Sequence, residues 1–489
     1  MLVGELLAHF LPFWNSTSSH LNLIWLPTTR LSNDTSTPHT SDSAPTALPR
    51  RLTLLQGTAL NMIDMVGIGP FVVLPLIIKT MGGGQFLWAW VLGAVVSLID
   101  AFVWSELGAA FPQAGGSYNF LKISYGEQRW GKLLSFLYVW QTLIQAPLVV
   151  ASGAIGFAQY MSYLMPLEVW QQKAVSGVVV LVIIALLYRK IDSIGKIGLV
   201  MWGAVLLTLG AIIIGGLSNI RIPLTDTLQA MRSGSSGLLA AGLGHASVKT
   251  IYCYLGYYNV CHLGSEIKHP TRNIPASMFI SIVGIAVLYL LMNISVVSVV
   301  PWQTAQESSF IVSTFIETLY GSRAAQLATV LVLMVAFSSL FAVLLGYSRV
   351  PYAAAADGQF FRIFAKLHPT RQFPYVSLLF LGGLGFLFSL LFRLGDVITA
   401  ILAMRIVIQF VGQAIGLILL HRRRKPEFFP FRMPLYPLPV LLAIAVWLFI
   451  FFSTGLTFML SGLTVIGLGI VAFLITAGVR KQWPFEKLS

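Results

Sequence analysis

The sequence predicts an all-α membrane protein with twelve transmembrane helices, two of them broken. Three observations predict it: an apolar composition, repeated apolar stretches of spanning length, and a one-sided distribution of Lys and Arg. Of the 489 residues, 56% are hydrophobic and 10% are charged. A soluble domain carries about 25% charged residues. Mean hydropathy is +0.81. These values exclude a water-soluble enzyme, a disordered chain and a collagen-like one. Lipid is the solvent for most of this chain.

Residues 1–50 read as a flexible cytoplasmic tail. Leu2 to Trp14 is apolar but too short to span, and it lacks the basic start and small-residue cleavage site of a signal peptide. Residues 15–50 are rich in Ser, Thr, Asn and Pro, which cannot bury enough apolar surface to order themselves. Asn15 and Asn33 open glycosylation sequons, expected to stay unmodified on a cytoplasmic tail.

From residue 53 onward, apolar stretches of about 20 residues alternate with short polar connections, each long enough to cross a ~30 Å hydrocarbon core as a helix. They lie near 55–80, 85–108, 131–160, 172–189, 195–217, 245–267, 275–298, 324–350, 374–392, 396–421, 437–453 and 456–478. Basic residues fix the orientation. With a cytoplasmic N-terminus, the inside connections carry Arg50, Arg51, Arg189, Lys190, Arg371 and the run Arg422-Arg-Arg-Lys425, among others. The outside connections hold only Lys79, Lys173, Arg221, Arg232, Lys249, Arg323 and Arg393. That is the positive-inside pattern, and an even count puts both termini in the cytoplasm of a cell-membrane protein. The net charge of +14 therefore reflects topology and not a nucleic-acid partner. Cys253 and Cys261 are eight residues apart. A continuous helix would separate them by about 12 Å, too far for a disulfide.

Two apolar stretches are interrupted. The first reads Asn61-Met-Ile-Asp-Met-Val-Gly-Ile-Gly-Pro-Phe71, with Gly67, Gly69 and Pro70 in mid-span. Pro70 removes a donor and its ring clashes with the carbonyl four residues earlier. The sixth reads Tyr252-Cys-Tyr-Leu-Gly-Tyr-Tyr-Asn259, with Gly256 among aromatic and polar residues. A break frees backbone N–H and C=O groups, which lipid cannot satisfy, so the two breaks should line a shared cavity. Corresponding breaks that each open a five-helix block point to a transporter site between inverted repeats.

Four stretches resemble the amino acid–polyamine–organocation transporter family, close to its L-type and cationic amino acid permeases. Gly67-Ile-Gly-Pro-Phe71 resembles the glycine-rich break of the first helix. Trp104-Ser-Glu-Leu-Gly-Ala-Ala-Phe-Pro-Gln-Ala-Gly-Gly-Ser-Tyr118 resembles the family's stretch after the second. Ser265-Glu-Ile-Lys-His-Pro-Thr-Arg-Asn-Ile-Pro275 resembles the signature after the sixth, and Ser348-Arg-Val-Pro-Tyr-Ala-Ala-Ala-Ala-Asp-Gly358 the end of the eighth. The resemblance implies a LeuT-type five-plus-five inverted repeat, with a transport core over 51–435 and helices 11 and 12 in 436–489. It implies that backbone N–H groups around Gly67, Ile68 and Gly69 hold a substrate α-carboxylate. Carbonyls near Tyr252, Tyr254, Leu255 and Gly256 would meet the α-amino group, and Tyr252 would be an aromatic gate. Pro70 stands where the family usually has Ile, a departure that polyamine-type relatives share.

Coupling and gating candidates follow from charges inside the membrane, which are costly and functional by default. Asp64 lies one turn before the first break, and Arg405 in the tenth helix is its candidate partner. Glu266, beside Lys268 and Arg272, reads as a cytoplasmic-gate ion pair. His262 follows the second break and titrates near neutral pH. Glu106 is expected to organise the loop that follows it. Ser338 and Ser339 do not align cleanly with the sodium site of sodium-coupled relatives, which leaves sodium open; proton symport is expected because Asp64 and His262 are titratable groups near the breaks. No nucleotide-binding loop, zinc-protease helix or nucleophile elbow occurs, so enzymatic function is not expected, nor is a cofactor or metal. The reading is a secondary transporter for an amino acid, with polyamines or organic cations as the alternative. Its expected partners are the small-molecule substrate and the lipid bilayer, with no obligate partner subunit.

Overall fold

The computed structural model describes residues 48–83, 85–189, 191–223, 225, 229, 236–392, 394–480 and 483–485. The expected tail therefore lies outside the described residues up to residue 47. Among the described residues the chain is helical, with two isolated β-bridges, Leu52 with Ile267 and Ala114 with Leu263. Among the described residues, eight helices are long and apolar enough to cross a membrane, and a bent pair makes a ninth span if counted as one. The protein is a multi-pass membrane protein.

α1 (Leu54–Met65) starts on a capping box: Thr53 Oγ1 accepts from Gln56 N, and Gln56 Oε1 accepts from Thr53 N. These bonds satisfy two of the orphan donors of a helix start. α1 stops before Pro70 because the proline ring would strike the Val66 carbonyl, and Val66 is where the helix caps. α2 (Gly69–Met81) then starts with Pro70 in its first turn. There the missing N–H has no helical partner to lose. Pro70 thus opens a helix, where the sequence suggested that it interrupts one. The two helices differ in direction by 44° across Val66-Gly67-Ile68.

α3 (Phe86–Ala110) leads to a Gly115-Gly116 turn and a short α4 (Ser117–Ser124). Gly116 has φ +51, and a Cβ there would lie 2.7 Å from His262 Cδ2, so this turn requires glycine. α5 (Trp130–Met161), α6 (Val169–Leu187) and α7 (Ile191–Ser218) follow. α8 (Ser236–Tyr254) ends mid-stretch; Leu255–Tyr258 forms a turn, and α9 (Asn259–His262) is one helical turn long. The sixth apolar stretch is therefore not one helix.

α10 (Pro270–Val297) packs along α3 and α1. α11 (Trp302–Ala305) and α12 (Ile311–Tyr320) are short, and α13 (Ser322–Tyr347) packs on α5. α14 (Arg349–Ala356) continues α13 after Ser348, and α15 (Tyr375–Leu391) lies against α5 and α6. α16 (Leu394–Arg405) passes through a π turn, Ile406–Val411, into α17 (Gly412–Arg423). Such turns inside helices are frequent at functional sites. α18 (Leu438–Ser453) packs on α3, and α19 (Leu456–Arg480) on α5 and α16.

Candidate functional site

A cavity of about 50 Å³ opens where the two interruptions meet. From the first it is lined by Asp64, Met65, Gly67, Ile68 and Gly69, and from the second by Tyr252, Cys253, Leu255, Gly256 and Tyr258. Val149 and Gly153 of α5, Ser339, Leu340, Val343 and Tyr347 of α13, and Ile401 and Arg405 of α16 complete it. Its volume holds only a few water-sized guests.

The two interruptions face it with opposite polarity. Among the described residues, the N–H groups of Gly67 and Ile68 have no backbone acceptor. They precede the first turn of α2, whose dipole favours an anion. The carbonyls of Tyr252, Tyr254 and Leu255 have no backbone donor. They end α8, whose dipole favours a cation. Tyr289 of α10 ties the two ends together: its hydroxyl lies within donating distance of Met65 O (2.8 Å) and Cys253 O (3.0 Å).

Close approach of the backbones is enforced by glycine. Gly256 has φ +121, and a Cβ there would lie 2.8 Å from Met65 N and from Asp64 Cγ. A Cβ at Gly67 would lie 2.7 Å from Ser339 Oγ. Ser339 Oγ in turn donates to Asp64 O at 3.3 Å. Ser338 is engaged within its own helix, donating to Met334 O.

The candidates separate clearly. Gly67, Ile68, Gly69, Tyr252, Leu255 and Gly256 line the cavity, as do Asp64 and Arg405. Tyr252 reaches across it to share a 3.0 Å hydrogen bond with Ser152 of α5. The Tyr254 side chain leaves the cavity: its ring packs on Trp90 and Tyr289, and its hydroxyl donates to Trp90 O. Arg405 does not pair with Asp64. Its guanidinium donates to the hydroxyls of Tyr258 and Tyr347 and to Gln409 Oε1, so it is held by neutral groups. His262 lies outside the cavity, its Nε2 3.2 Å from Tyr138 Oη.

Glu266 also lies outside, and its partner is neither Lys268 nor Arg272 but Arg349. Arg349 Nη2 reaches both carboxylate oxygens, at 2.9 and 3.2 Å, in a pair 2% and 1% exposed. Glu106 binds at a distance in sequence as well. It meets His421 Nε2 at 2.7 Å and accepts from Met433 N, so it ties α3 to α17 and the chain beyond it, not to the loop that follows. Sequence reasoning did not single out Arg349, although it stands in the Ser348-Arg-Val-Pro motif. Val149 and Gly153 carry no signal that separates them from ordinary helix packing.

Comparison with known proteins decides the family. A model described as amino acid permease matches residues 52–479. The chain belongs to the amino acid permease family. It is 25% identical over 464 residues to the serine/threonine exchanger SteT of Bacillus subtilis (strain 168), covering 91% of this chain and 99% of that protein. It is 27% identical over 374 residues to cationic amino acid transporter 4 of Mus musculus, covering 73% and 58%. It is 23% identical over 428 residues to the human cystine/glutamate transporter, covering 85% and 83%. These relatives of the permease are transporters and not enzymes, and they do not favour the polyamine alternative.

Proposed function

We propose that the protein is a secondary transporter that carries an amino acid across the cell membrane by alternating access at this chamber. One observation carries the reading: N–H groups before α2 and carbonyls at the end of α8, without backbone partners among the described residues, belong to two segments that line one chamber. That arrangement suits a zwitterion, its carboxylate at Gly67–Gly69 and its ammonium at Tyr252–Gly256. In this proposal the twelve apolar stretches are twelve spans with both termini cytoplasmic. Residues 51–435 form the five-plus-five core, with helices 1 and 6 broken, and 436–489 contribute helices 11 and 12. A proton is the coupling ion, with Asp64 in the chamber and His262 behind it as titratable candidates.

The test is thermal stabilisation of the detergent-purified protein across a panel of amino acids and polyamines. A ligand that binds the native state raises the melting temperature with concentration. A shift with a zwitterionic amino acid is the expected result; a shift confined to putrescine or spermidine would replace this reading.

Tyr252 is proposed as the gate. Tyr252→Ala deletes a ring that closes the chamber and its bond to Ser152. Binding of the stabilising amino acid is expected to weaken about tenfold, or ~1.4 kcal/mol. An unchanged dissociation constant would remove Tyr252 from the gate.

A further inference from the structure

The chamber wall continues into a second buried acid. Tyr258 lines the chamber, and its neighbour Tyr257 turns the other way and donates its hydroxyl to Asp100 of α3. The other Asp100 oxygen accepts from Trp447 Nε1 of α18 at 3.0 Å. Asp100 is 1% exposed. Among the described residues it has no cation within ion-pair distance. A charge in that position is compensated by the neutral donors Tyr257, Trp447 and Trp104 and, without an ion pair, by Arg405, and buried charges of this kind are costly unless paired or neutralised.

The groups facing Asp100 are few. Tyr257 comes from the turn after α8 and Trp447 from α18. Arg405 of α16 is the nearby fixed charge, with Nε engaged by Gln409 and Nη2 by Tyr258 and Tyr347, and it makes no ion pair with Asp100. One turn along α3, the indole of Trp104 stacks on Tyr258 with ring centroids 4.5 Å apart. Its buried Nε1 makes no hydrogen bond of normal geometry, yet it is near enough to Asp100 to stabilise the anion as a third donor.

We propose that Asp100 is a proton-binding site coupled to the substrate chamber through Tyr257 and Tyr258. In the anionic state the carboxylate accepts from Tyr257 and Trp447. With a proton bound, it donates to the Tyr257 oxygen, and the phenol must turn its own hydrogen elsewhere. That rearrangement moves the turn that carries Tyr258, the residue that holds Arg405 at the chamber. The site also gives α18 a part in transport: Trp447 touches Asp100 and stacks on Phe410 of the π turn at 3.8 Å. The inference rests on the proton-coupled reading for its meaning, and its test does not use substrate.

The test is infrared difference spectroscopy of the purified, substrate-free protein titrated between about pH 5 and pH 9, the range over which perturbed carboxyls are read. The expected result is a protonated-carboxyl C=O band that grows on acidification, persists in Asp64→Asn and is missing in Asp100→Asn. Trp447→Phe deletes one donor to the anion, so the same band should survive to higher pH by about one unit or more. Should Asp100→Asn fail to fold, Trp447→Phe and Tyr257→Phe carry the test. A band unchanged by all three substitutions, or no such band, overturns the proposal. Loss of every amino-acid thermal shift with the band intact would instead count against the transporter reading.

Discussion

Replacing Gly256 with alanine is expected to abolish substrate binding, with a loss of at least about 100-fold, or ~2.7 kcal/mol. Two costs add at this position. The backbone has φ +121, a conformation that side chains rarely adopt and that costs about 1–3 kcal/mol. The new methyl carbon would also lie 2.8 Å from Met65 N, and that atom is backbone of the other interruption. Overpacking of this kind costs about 1–3 kcal/mol and is relieved by moving backbone. Any relief pushes Met65–Gly69 away from Tyr252–Gly256, which widens the distance between the free N–H groups and the free carbonyls. Binding therefore falls before folding does. Gly210→Ala is the control, since a Cβ there meets nothing within 4 Å. It should leave the melting temperature and binding unchanged or raise stability slightly. A dissociation constant for Gly256→Ala within twofold of wild type would show that the two interruptions need not approach this closely.

The same pair of positions shows how much of the site could be read in advance. Gly67, Gly69 and Gly256 announced themselves because glycine in a spanning stretch is a local signal, and local signals survive in sequence. The apolar stretches did so for the same reason: their lengths are set by the bilayer and not by particular neighbours. Charged partners were less legible. Arg405 stands against Tyr258 and Tyr347, which lie 147 and 58 residues away. Glu266 finds Arg349 83 residues along, although Lys268 and Arg272 are closer in sequence. Proximity in sequence favoured the wrong cations, because Glu266 ends a 3₁₀ turn packed under α14. Tyr254 was expected to contribute only its carbonyl, and its side chain was not legible. On α8 its side chain points toward α3 while its carbonyl stays at the helix end, so backbone and side chain belong to different surroundings. Pro70 was read as part of a break in mid-span, and the structure puts it in the first turn of the helix that follows the break.

Breaking the Glu266–Arg349 pair is expected to give the second large effect. Glu266→Gln leaves a guanidinium buried without a counter-charge, and removal of one partner of such a pair costs about 3–5 kcal/mol. The Glu266 neighbourhood multiplies the consequence. Its carbonyl accepts from both Arg51 N and Leu52 N, and Lys268 N donates back to Leu52 O. The chain before α1 is therefore strapped to the segment between α9 and α10 at the point where Arg349 anchors α14. In the proposed topology this is the cytoplasmic end, and the pair is proposed to close the chamber on that side. Glu266→Gln should lower the melting temperature and shift the resting protein toward a cytoplasm-open state, read as faster modification of a cysteine placed at Gly69. Glu266→Leu combined with Arg349→Met removes both charges and keeps the apolar volume, a change that is often neutral in buried pairs. The double variant should therefore regain most of the stability lost in Glu266→Gln while keeping the faster modification, because the melting temperature follows the unpaired charge and the opening follows the missing bond. Equal stability of the single and double variants would mean that the buried charge was never uncompensated. A double variant as slow to react as wild type would place the closure elsewhere, in the backbone strap of Arg51 and Leu52.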